Sequence, residues 1–383
     1  MDVFKIISRE FRKVIKDRNL VLIFIAAPLL YPLFYGTIYM KKAETEIPVA
    51  LMDCDNSSLS RSLARTLDAH QNIDISMILV DESEIENVLA LNKATNVVYI
   101  PKGFEECLKK GIQTNVILYL NPARLLVLSD VGIPASQLIT AFGAKVTANV
   151  LAVKGVPVFQ DSNYAQPLKF DFSYLHNPYL TYGDMILLPL MIIIISQLIL
   201  IGVTAATAKE YSMEGWKDTF RVSGGILTNF AGRFIFYLLL FAVFSILLKF
   251  TVADFLNISI SGSDWDSLIV FLLGIIANTS FGLFLGTFFR HRVAVFITLG
   301  FTSYPFFLMS GFAWPARQIP DIVKYLSVLF PSTPFLKAGF DIIETGASLT
   351  AGTVQLLNFT ILIIAYSLGF ILRMKAIKNR FNK

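Results

Sequence analysis

Few residues in this chain could hold a metal or carry redox chemistry. Its 383 residues include only 2 cysteines and 3 histidines. Cys54 and Cys107 are too far apart for a C-x-x-C motif, and the histidines do not suffice for a dedicated metal cluster. We therefore expect no metal site and no cofactor bound by this chain. The two cysteines could form a disulfide in an oxidising compartment, or each could be buried as a small apolar side chain.

Motifs for nucleotide binding and catalysis are also missing. No G-x-x-x-x-G-K-[S/T] loop is present to cradle phosphates, so an energy source would have to come from another protein. Asp53-Cys54-Asp55 resembles the D-x-D of aspartyl-phosphate enzymes, but the following Asn56-Ser57-Ser58 is typical of a helix N-cap. No partner motif for that mechanism follows, and we predict no catalytic residue.

Charged residues are scarce, at 16%, whereas 55% of the residues are hydrophobic and the mean hydropathy is +0.61. A soluble core of this size could not bury that much apolar surface, so the bilayer must be part of the solvent. Six apolar runs of roughly 20 residues are long enough to cross it. They are Leu20–Met40, Met185–Ala206, Ile226–Leu248, Leu268–Phe289, Val293–Phe312 and Val354–Leu372.

The net charge of +5 is explained by topology. Basic clusters lie beside the apolar runs rather than in a stripe with exposed aromatics, which argues against a nucleic-acid partner. They all fall on one side if both termini are cytoplasmic. We expect a multi-pass protein of a bacterial cytoplasmic (inner) membrane, with residues 20–40 retained as an anchor because no A-x-A cleavage site follows them.

Residues 1–19 predict an amphipathic interfacial helix. Apolar residues repeat at helical spacing and basic residues fill the opposite side. The helix could be only a basic anchor on the inner leaflet, or it could also contact a cytoplasmic partner. The apolar positions are Val3, Phe4, Ile7, Phe11, Val14 and Ile15.

Residues 41–183 differ in composition from the rest of the chain. Four strand-like runs alternate with helical patterns, which predicts a small parallel or mixed α/β domain outside the membrane. The strand-like runs are IPVALMD, DISMILV, TNVVYI and TNVILYL, and the helical patterns are Ser58–His70, Glu82–Lys93, Phe104–Lys110 and Arg124–Val153.

Residues 184–383 carry the remaining spans, which have essentially no ionisable residue near their midpoints. This argues against a proton- or sodium-driven carrier. Polar residues do occur near the expected bilayer centre, among them Gln197, Asn278, Thr302 and Ser303. They either form hydrogen bonds between helices or line a path for a substrate.

Two segments between spans are unusual. Residues 208–225 are rich in both signs of charge, and Trp216 and Phe220 would share one helical face; the segment is either a linker or a contact for a partner. Residues 308–336 are too apolar for an ordinary loop, yet four prolines interrupt them. With Ile322–Phe330 as a short helix, they predict a re-entrant helical hairpin between spans five and six, or an interfacial connector.

These segments resemble those of the membrane subunits of ABC-2-type ATP-binding-cassette exporters. Lys209-Glu210, Gly215-Trp216 and Phe220 before Ser223-Gly224-Gly225 are similar to the family's segment after the second span. Ser310-Gly311, the prolines and Gly346 occur in the family's order. The resemblance implies a polytopic α-helical fold with six transmembrane helices and an inserted extracytoplasmic α/β domain. It also implies a dimer, of identical chains or of paralogues, bound to ABC ATPase subunits that use ATP and magnesium.

The resemblance further implies which residues act. Contact with the ATPase would use Glu210, Gly215, Trp216, Asp218 and Phe220, and secondarily Phe4, Phe11 and Arg12. The path for a drug-like or lipid-like amphiphile would use Gln197, Asn278, Thr302 and Ser303, and the re-entrant gate Gly311, Pro315, Pro320, Pro331 and Pro334. Membrane lipid is a further expected partner. An extracytoplasmic adaptor could also dock on the outer domain, but no residue requires one. The alternatives are a membrane-anchored receptor or adaptor without transport activity, and a polytopic enzyme.

Overall fold

A computed structural model describes residues 3–39, 45–120, 128–153, 182–208, 210, 223–247 and 261–381. The chain divides into two compact units. One unit combines Met1–Met40 with Asp184–Lys383, and the other is Lys41–Gly183.

Six helices of the described chain are long and apolar enough to cross a membrane. Their number and type agree with the predicted polytopic α-helical protein. The first span is built from Arg18–Val21, a π-helical turn at Leu22–Ala26 and Ala27–Tyr39. The second to sixth spans are Tyr182–Ala208, Ile226–Leu247, Asp264–Gly286, Arg292–Met309 and Thr353–Phe381. The sixth helix extends beyond the predicted end at Leu372, because basic residues continue its helical pattern past the apolar run.

The second and fourth spans are the two most buried of these helices, and small residues let them pack closely. A Cβ placed on Gly286 would lie 2.4 Å from the Cβ of Thr207, and one on Gly282 would lie 3.0 Å from the Cβ of Val203. Thr204 donates a hydrogen bond from its hydroxyl to the Gly282 carbonyl at 3.1 Å. This small-x-x-x-small spacing is the usual way in which backbones approach inside a bilayer.

The fifth span ends at Met309, three residues before the predicted Phe312, because Gly311 has a φ of 84° that a continuing helix cannot adopt. The short helix that follows is Asp321–Ser327 and ends three residues before the predicted Phe330. After a 3₁₀ turn at Ala316–Gln318 and this helix, Ser332–Ala338 continues into a π-helical turn at Gly339–Glu344. We call Asp321–Ser327 the first arm and Ser332–Ala338 the second arm, and the second arm is the buried one. Re-entry of this segment into the membrane stays a prediction.

The other unit contains a four-stranded mixed sheet, as the alternating pattern predicts. Its strands are β1 (Ile47–Asp53), β2 (Ile73–Ile78), β3 (Asn96–Ile100) and β4 (Ile117–Leu120). The order is β2-β1-β3-β4, with β1 parallel to β2 and β3, and β4 antiparallel to β3. Val49 pairs with Ile75 on one side and with Asn96 on the other.

Helices cover both faces of this sheet. Ser58–Asp68, Phe104–Lys110 and Ile133–Val153, which follows a π-helical turn at Leu128–Gly132, pack on one face around Leu63. Glu84–Ala90 packs on the other face. Alternation along β1 sends Val49 to the first core and Ala50 to the second.

Candidate functional site

The N-terminal helix, Val3–Lys16, packs on the beginning of the third span. Its buried residues are Ile6, Glu10 and Val14. A Cβ on Gly232 would lie 2.7 Å from the Cβ of Ile6, so the third span needs a glycine there for the helix to approach.

The predicted apolar side of this helix is therefore divided. Val14 is buried, but the exposed fractions of Phe4, Phe11 and Ile15 are 86%, 54% and 53%. Only a narrow stripe of the helix, formed by Ile6, Glu10 and Val14, packs against the bundle, and the Glu10 carboxylate lies at its centre. Burial of that charge is possible because partners meet it there.

Six side chains form a buried ion cluster at this contact. Arg233 of the third span donates to Glu210 and lies 3.6 Å from Glu10. Lys13 Nζ lies 2.9 Å from Glu210 Oε1 and 3.3 Å from Glu10 Oε2. Arg9 Nη2 lies 3.1 Å from Glu10 Oε1 and 3.2 Å from Glu210 Oε1. Tyr237 completes the cluster by donating to Glu10 Oε2 at 2.9 Å.

Both carboxylates of the ion cluster remain charged although they are buried. Burial raises the pKa of Glu210, but Arg233, Lys13 and Arg9 outweigh it and hold that pKa well below the usual value. Burial likewise raises the pKa of Glu10, and Lys13 and Arg233 reverse the shift. The cluster thus holds three cations and two anions, and each buried charge depends on the others.

The ion cluster joins three parts of the chain that are distant in sequence. Glu210 lies two residues beyond the second span and within the 208–225 segment. Of the predicted ATPase-contact residues in that segment, only Glu210 is described; Gly215, Trp216, Asp218 and Phe220 lie outside the described residues.

A second ion pair ties neighbouring helix ends together. Asp17 pairs with Arg292, the first residue of the fifth span. Arg292 also donates from Nε to the Ala205 carbonyl, in the last turn of the second span, at 3.3 Å. Asp17 additionally accepts from the Leu20 amide and so caps the first span. The start of the first and fifth spans and the end of the second are therefore fixed together.

The outer face of the N-terminal helix is basic and apolar. Phe4, Lys5, Ser8, Arg9 and Arg12 line a surface depression of about 560 Å³. The predicted contact residues Phe4, Phe11 and Arg12 are all exposed. Phe4, Phe11 and Arg12 are thus exposed away from the ion cluster, whereas Arg9 belongs both to the cluster and to the depression.

The four predicted path residues are only partly brought together. Ser303 donates from its hydroxyl to Gln197 Oε1 at 3.1 Å, which links the second and fifth spans. Asn278 and Thr302 instead donate to carbonyls of their own helices. Gln197 Nε2 is buried without a hydrogen-bond partner in the described chain. This amide could therefore still donate a hydrogen bond inside the bundle, beside Ser303.

Among the predicted gate residues, Pro315 and Pro320 precede short helices at the turn after the fifth span. Pro331 and Pro334 are buried at the start of the second arm. That arm packs against the fourth span, where a Cβ on Gly274 would lie 2.7 Å from the ring of Phe335.

The D-x-D carboxylates accept hydrogen bonds from nearby main-chain amides, and Asp53 accepts from the Asp55 and Asn56 amides at 3.0 Å. Ser57 is the N-cap of Ser58–Asp68. Asp55 accepts from the amides of Gly103, Phe104 and Glu105 at 2.7 to 3.1 Å. Burial raises the pKa of Asp55, but these bonds and one from the Ser57 side chain outweigh it and lower that pKa. Such carboxylates stabilise helix N-termini.

Glu105 reciprocates by accepting from the Ser58 and Leu59 amides. Hydrogen bonds from Lys109 and the Leu59 amide lower its pKa to about 2. The cysteines of this unit, Cys54 and Cys107, are separate half-buried thiols.

Sequence reasoning identified only Glu210 as a site residue and missed the other five members of the ion cluster, which are Arg9, Glu10, Lys13, Arg233 and Tyr237. A usable signal was present, because Arg233 lies inside an apolar run and ionisable residues in spans usually have a partner. The partner itself was not predictable, since Glu10 is 223 residues away, the difference between 233 and 10.

A family model described as "ABC-2 family transporter protein" matches residues 18–373. No curated protein matches the chain. The matched region runs from the start of the first span into the sixth and includes Glu210 and Arg233, whereas the N-terminal helix precedes it.

Proposed function

The chain belongs to the ABC-2 transporter family, and from this membership we propose that it is the membrane-spanning permease subunit of an ATP-driven exporter. A separate ABC ATPase subunit binds ATP and magnesium and performs the hydrolysis. The observation that carries the proposal is the buried ion cluster. It fastens the exposed N-terminal helix and the start of the 208–225 segment to the third span.

The ion cluster suits this role because it can transmit movement of an ATPase partner to the membrane spans. A partner that pushes on Phe4, Phe11 and Arg12 moves a helix whose other side is held by buried charges. Removing one partner of a buried ion pair costs about 3 to 5 kcal/mol, so the contact resists separation. The N-terminal helix, Glu210 and the third span then move as one body.

The charge distribution and the family membership support the rest of the proposed arrangement. Both termini are cytoplasmic in a bacterial inner membrane, and the α/β unit is extracytoplasmic. Two permease subunits, identical or paralogous, form the path, with Gln197 and Ser303 at its midpoint and Asn278 and Thr302 nearby. The substrate is an amphiphile, drug-like or lipid-like, because the surrounding side chains are apolar. Membrane lipid surrounds the spans.

The 308–336 segment acts as the outer gate in this proposal. Gly311 supplies the turn with its positive φ, and the prolines keep the two arms short. Replacing Pro315 and Pro320 together by alanine is expected to slow export. Unchanged export would refute the gating role.

Co-purification tests the exporter proposal. We expect the tagged full-length chain to bring down a protein with Walker motifs, and the complex to export a fluorescent amphiphile from vesicles when ATP is added. Trp216→Ala should reduce export at unchanged expression. Trp265→Ala is the matched control, since Trp265 is 75% exposed at the opposite end of the spans and should leave export unchanged.

Two results would contradict the proposal. If no ATPase subunit binds and the chain still binds a ligand, it is a membrane-anchored receptor or adaptor. If Trp216→Ala exports at the full rate, the 208–225 segment does not transmit the work of ATP.

A further inference from the structure

A cavity of about 350 Å³ lies at the end of the spans away from the ion cluster. Its wall includes Met185, at the start of the second span, and Phe312, just after the fifth. The opposite ends of these spans meet where Arg292 contacts Ala205, so the cavity is about one helix length from that contact. Its volume falls in the range of small-molecule pockets, about 300 to 1,000 Å³.

The cavity combines an apolar wall with two ionisable groups. Leu336 and Phe340 line it together with Met185 and Phe312, and Lys337 and Asp341 lie four residues apart on the same helical stretch. Residues at this spacing share one helix face. All other residues of Ser332–Ala338 are buried, so Lys337 is the exception in its helix.

Both ionisable groups have unused capacity. The Lys337 ammonium makes no hydrogen bond or ion pair with the described chain. Asp341 accepts from Gln355 Nε2 at 2.9 Å through Oδ2, and Oδ1 accepts nothing from the described residues. By contrast Lys324, on the neighbouring short helix, pairs with Asp321 at 3.1 Å.

We propose that this cavity binds the head group of a zwitterionic amphiphile. The anionic group lies on Lys337, the cationic or hydrogen-bond-donating group lies on Asp341, and the apolar part packs on Met185, Phe312, Leu336 and Phe340. This names the substrate class of the exporter, and in that respect it rests on the proposed function.

Charge complementarity favours a zwitterion over the simpler alternatives. A purely anionic head group would meet the Asp341 carboxylate beside Lys337, and a purely cationic one would meet the Lys337 ammonium. Each would leave one charge repelled, whereas a head group with both signs pairs both side chains. An uncharged head group would leave Lys337 and Asp341 with only each other's charge.

Titration calorimetry on the full-length chain in a non-ionic detergent tests this proposal. The probes are lysophosphatidylethanolamine, lysophosphatidic acid and monoacylglycerol of one chain length. We expect the first to bind most tightly, and Lys337→Gln and Asp341→Asn each to weaken its binding about tenfold. Lys324→Gln is the matched control and should bind as the wild type does.

A cavity-filling variant keeps the test independent of charge. Met185→Trp should also weaken binding of the zwitterionic probe. Melting temperatures of all variants identify any that fail to fold. Equal binding of the three probes, or wild-type affinity in a folded Lys337→Gln variant, would overturn the proposal and leave Lys337 as an interfacial anchor.

Binding is measured without ATP or an ATPase subunit, so the site and the exporter proposal fail separately. Zwitterion binding without a co-purified ATPase supports the site and contradicts the exporter. Loss of binding in a folded Lys337→Gln variant whose export is unchanged refutes the link between this site and the exported substrate.

Discussion

Replacing Glu210 by glutamine removes an anion that all three cations of the ion cluster contact. Arg233, Lys13 and Arg9 all contact Glu210 in the wild type. After the change, three cations share Glu10 alone. Arg233 then has its partner at 3.6 Å rather than in direct contact, and its side chain is fully buried. We expect the free energy of unfolding to fall by about 3 to 5 kcal/mol, which is the usual cost of removing one partner of a buried ion pair.

Arg233→Met should lower the free energy of unfolding by less than Glu210→Gln does. It removes one cation of three and leaves two cations for two carboxylates, and methionine fills part of the space. Lys13 and Arg9 have side-chain exposures of only 12% and 25% and still contact both carboxylates. The double variant should be more stable than the sum of the singles predicts, with a coupling energy of about 1 to 3 kcal/mol.

Thermal unfolding of the full-length chain in detergent, with hydrogen exchange of the N-terminal helix, measures these effects. Protection of that helix should fall most in Glu210→Gln. A cost of Glu210→Gln below about 1 kcal/mol would place it within the range of exposed ion pairs. Such a small cost would refute the view that the ion cluster holds the N-terminal helix in place. The same conclusion would follow if the effects of the two single variants simply added in the double variant.

Three further outcomes follow from close contacts and pKa shifts elsewhere. Gly232→Val should expose the N-terminal helix to exchange, whereas Gly300→Val should not, since nothing lies within 4 Å of a Cβ there. The pKa of Glu105 is about 2, below its usual 4.5. Its stabilisation of helix Ser58–Asp68 is therefore complete above pH 4.5 and lost as the pH falls toward 2, which exchange protection factors at each pH would report. Ser303→Ala should lower stability by only about 0.6 kcal/mol, an average interhelical hydrogen bond in membranes; a larger drop by thermal unfolding would contradict this.

Local signals explain how much the sequence could predict. Span positions depend on length and apolarity within one window, and the strands of the α/β unit follow from period and turn residues. The N-cap at Ser57 is likewise a pattern of adjacent residues. Gly311 ends the fifth span because its φ of 84° is a property of one residue type.

Long-range pairing explains what the sequence could not predict. Periodicity finds an apolar side on the N-terminal helix, but it cannot tell that Glu10 faces a buried arginine and that Phe4 stays exposed. The orientation of that helix is set by Gly232 and Arg233, which belong to another span. Similarly, no local sequence pattern distinguishes Lys337 from Lys324. Lys337 lines a cavity, whereas Lys324 pairs with Asp321, three residues earlier.

The second span connects the two ends at which we place energy input and substrate binding. Met185 lines the cavity at one end, and the span's last turn is held by Arg292 at the other, just before Glu210. Met185–Ala208 contains 24 residues, or about 36 Å of helix at 1.5 Å per residue. Because Gly282 and Gly286 pack the fourth span closely against it, the second span cannot bend freely there. Under the exporter proposal, a displacement of Glu210 therefore moves the last turns of the second span together with the fourth span, and Pro189, which lies between those turns and Met185, is the point at which the helix can bend before the cavity wall.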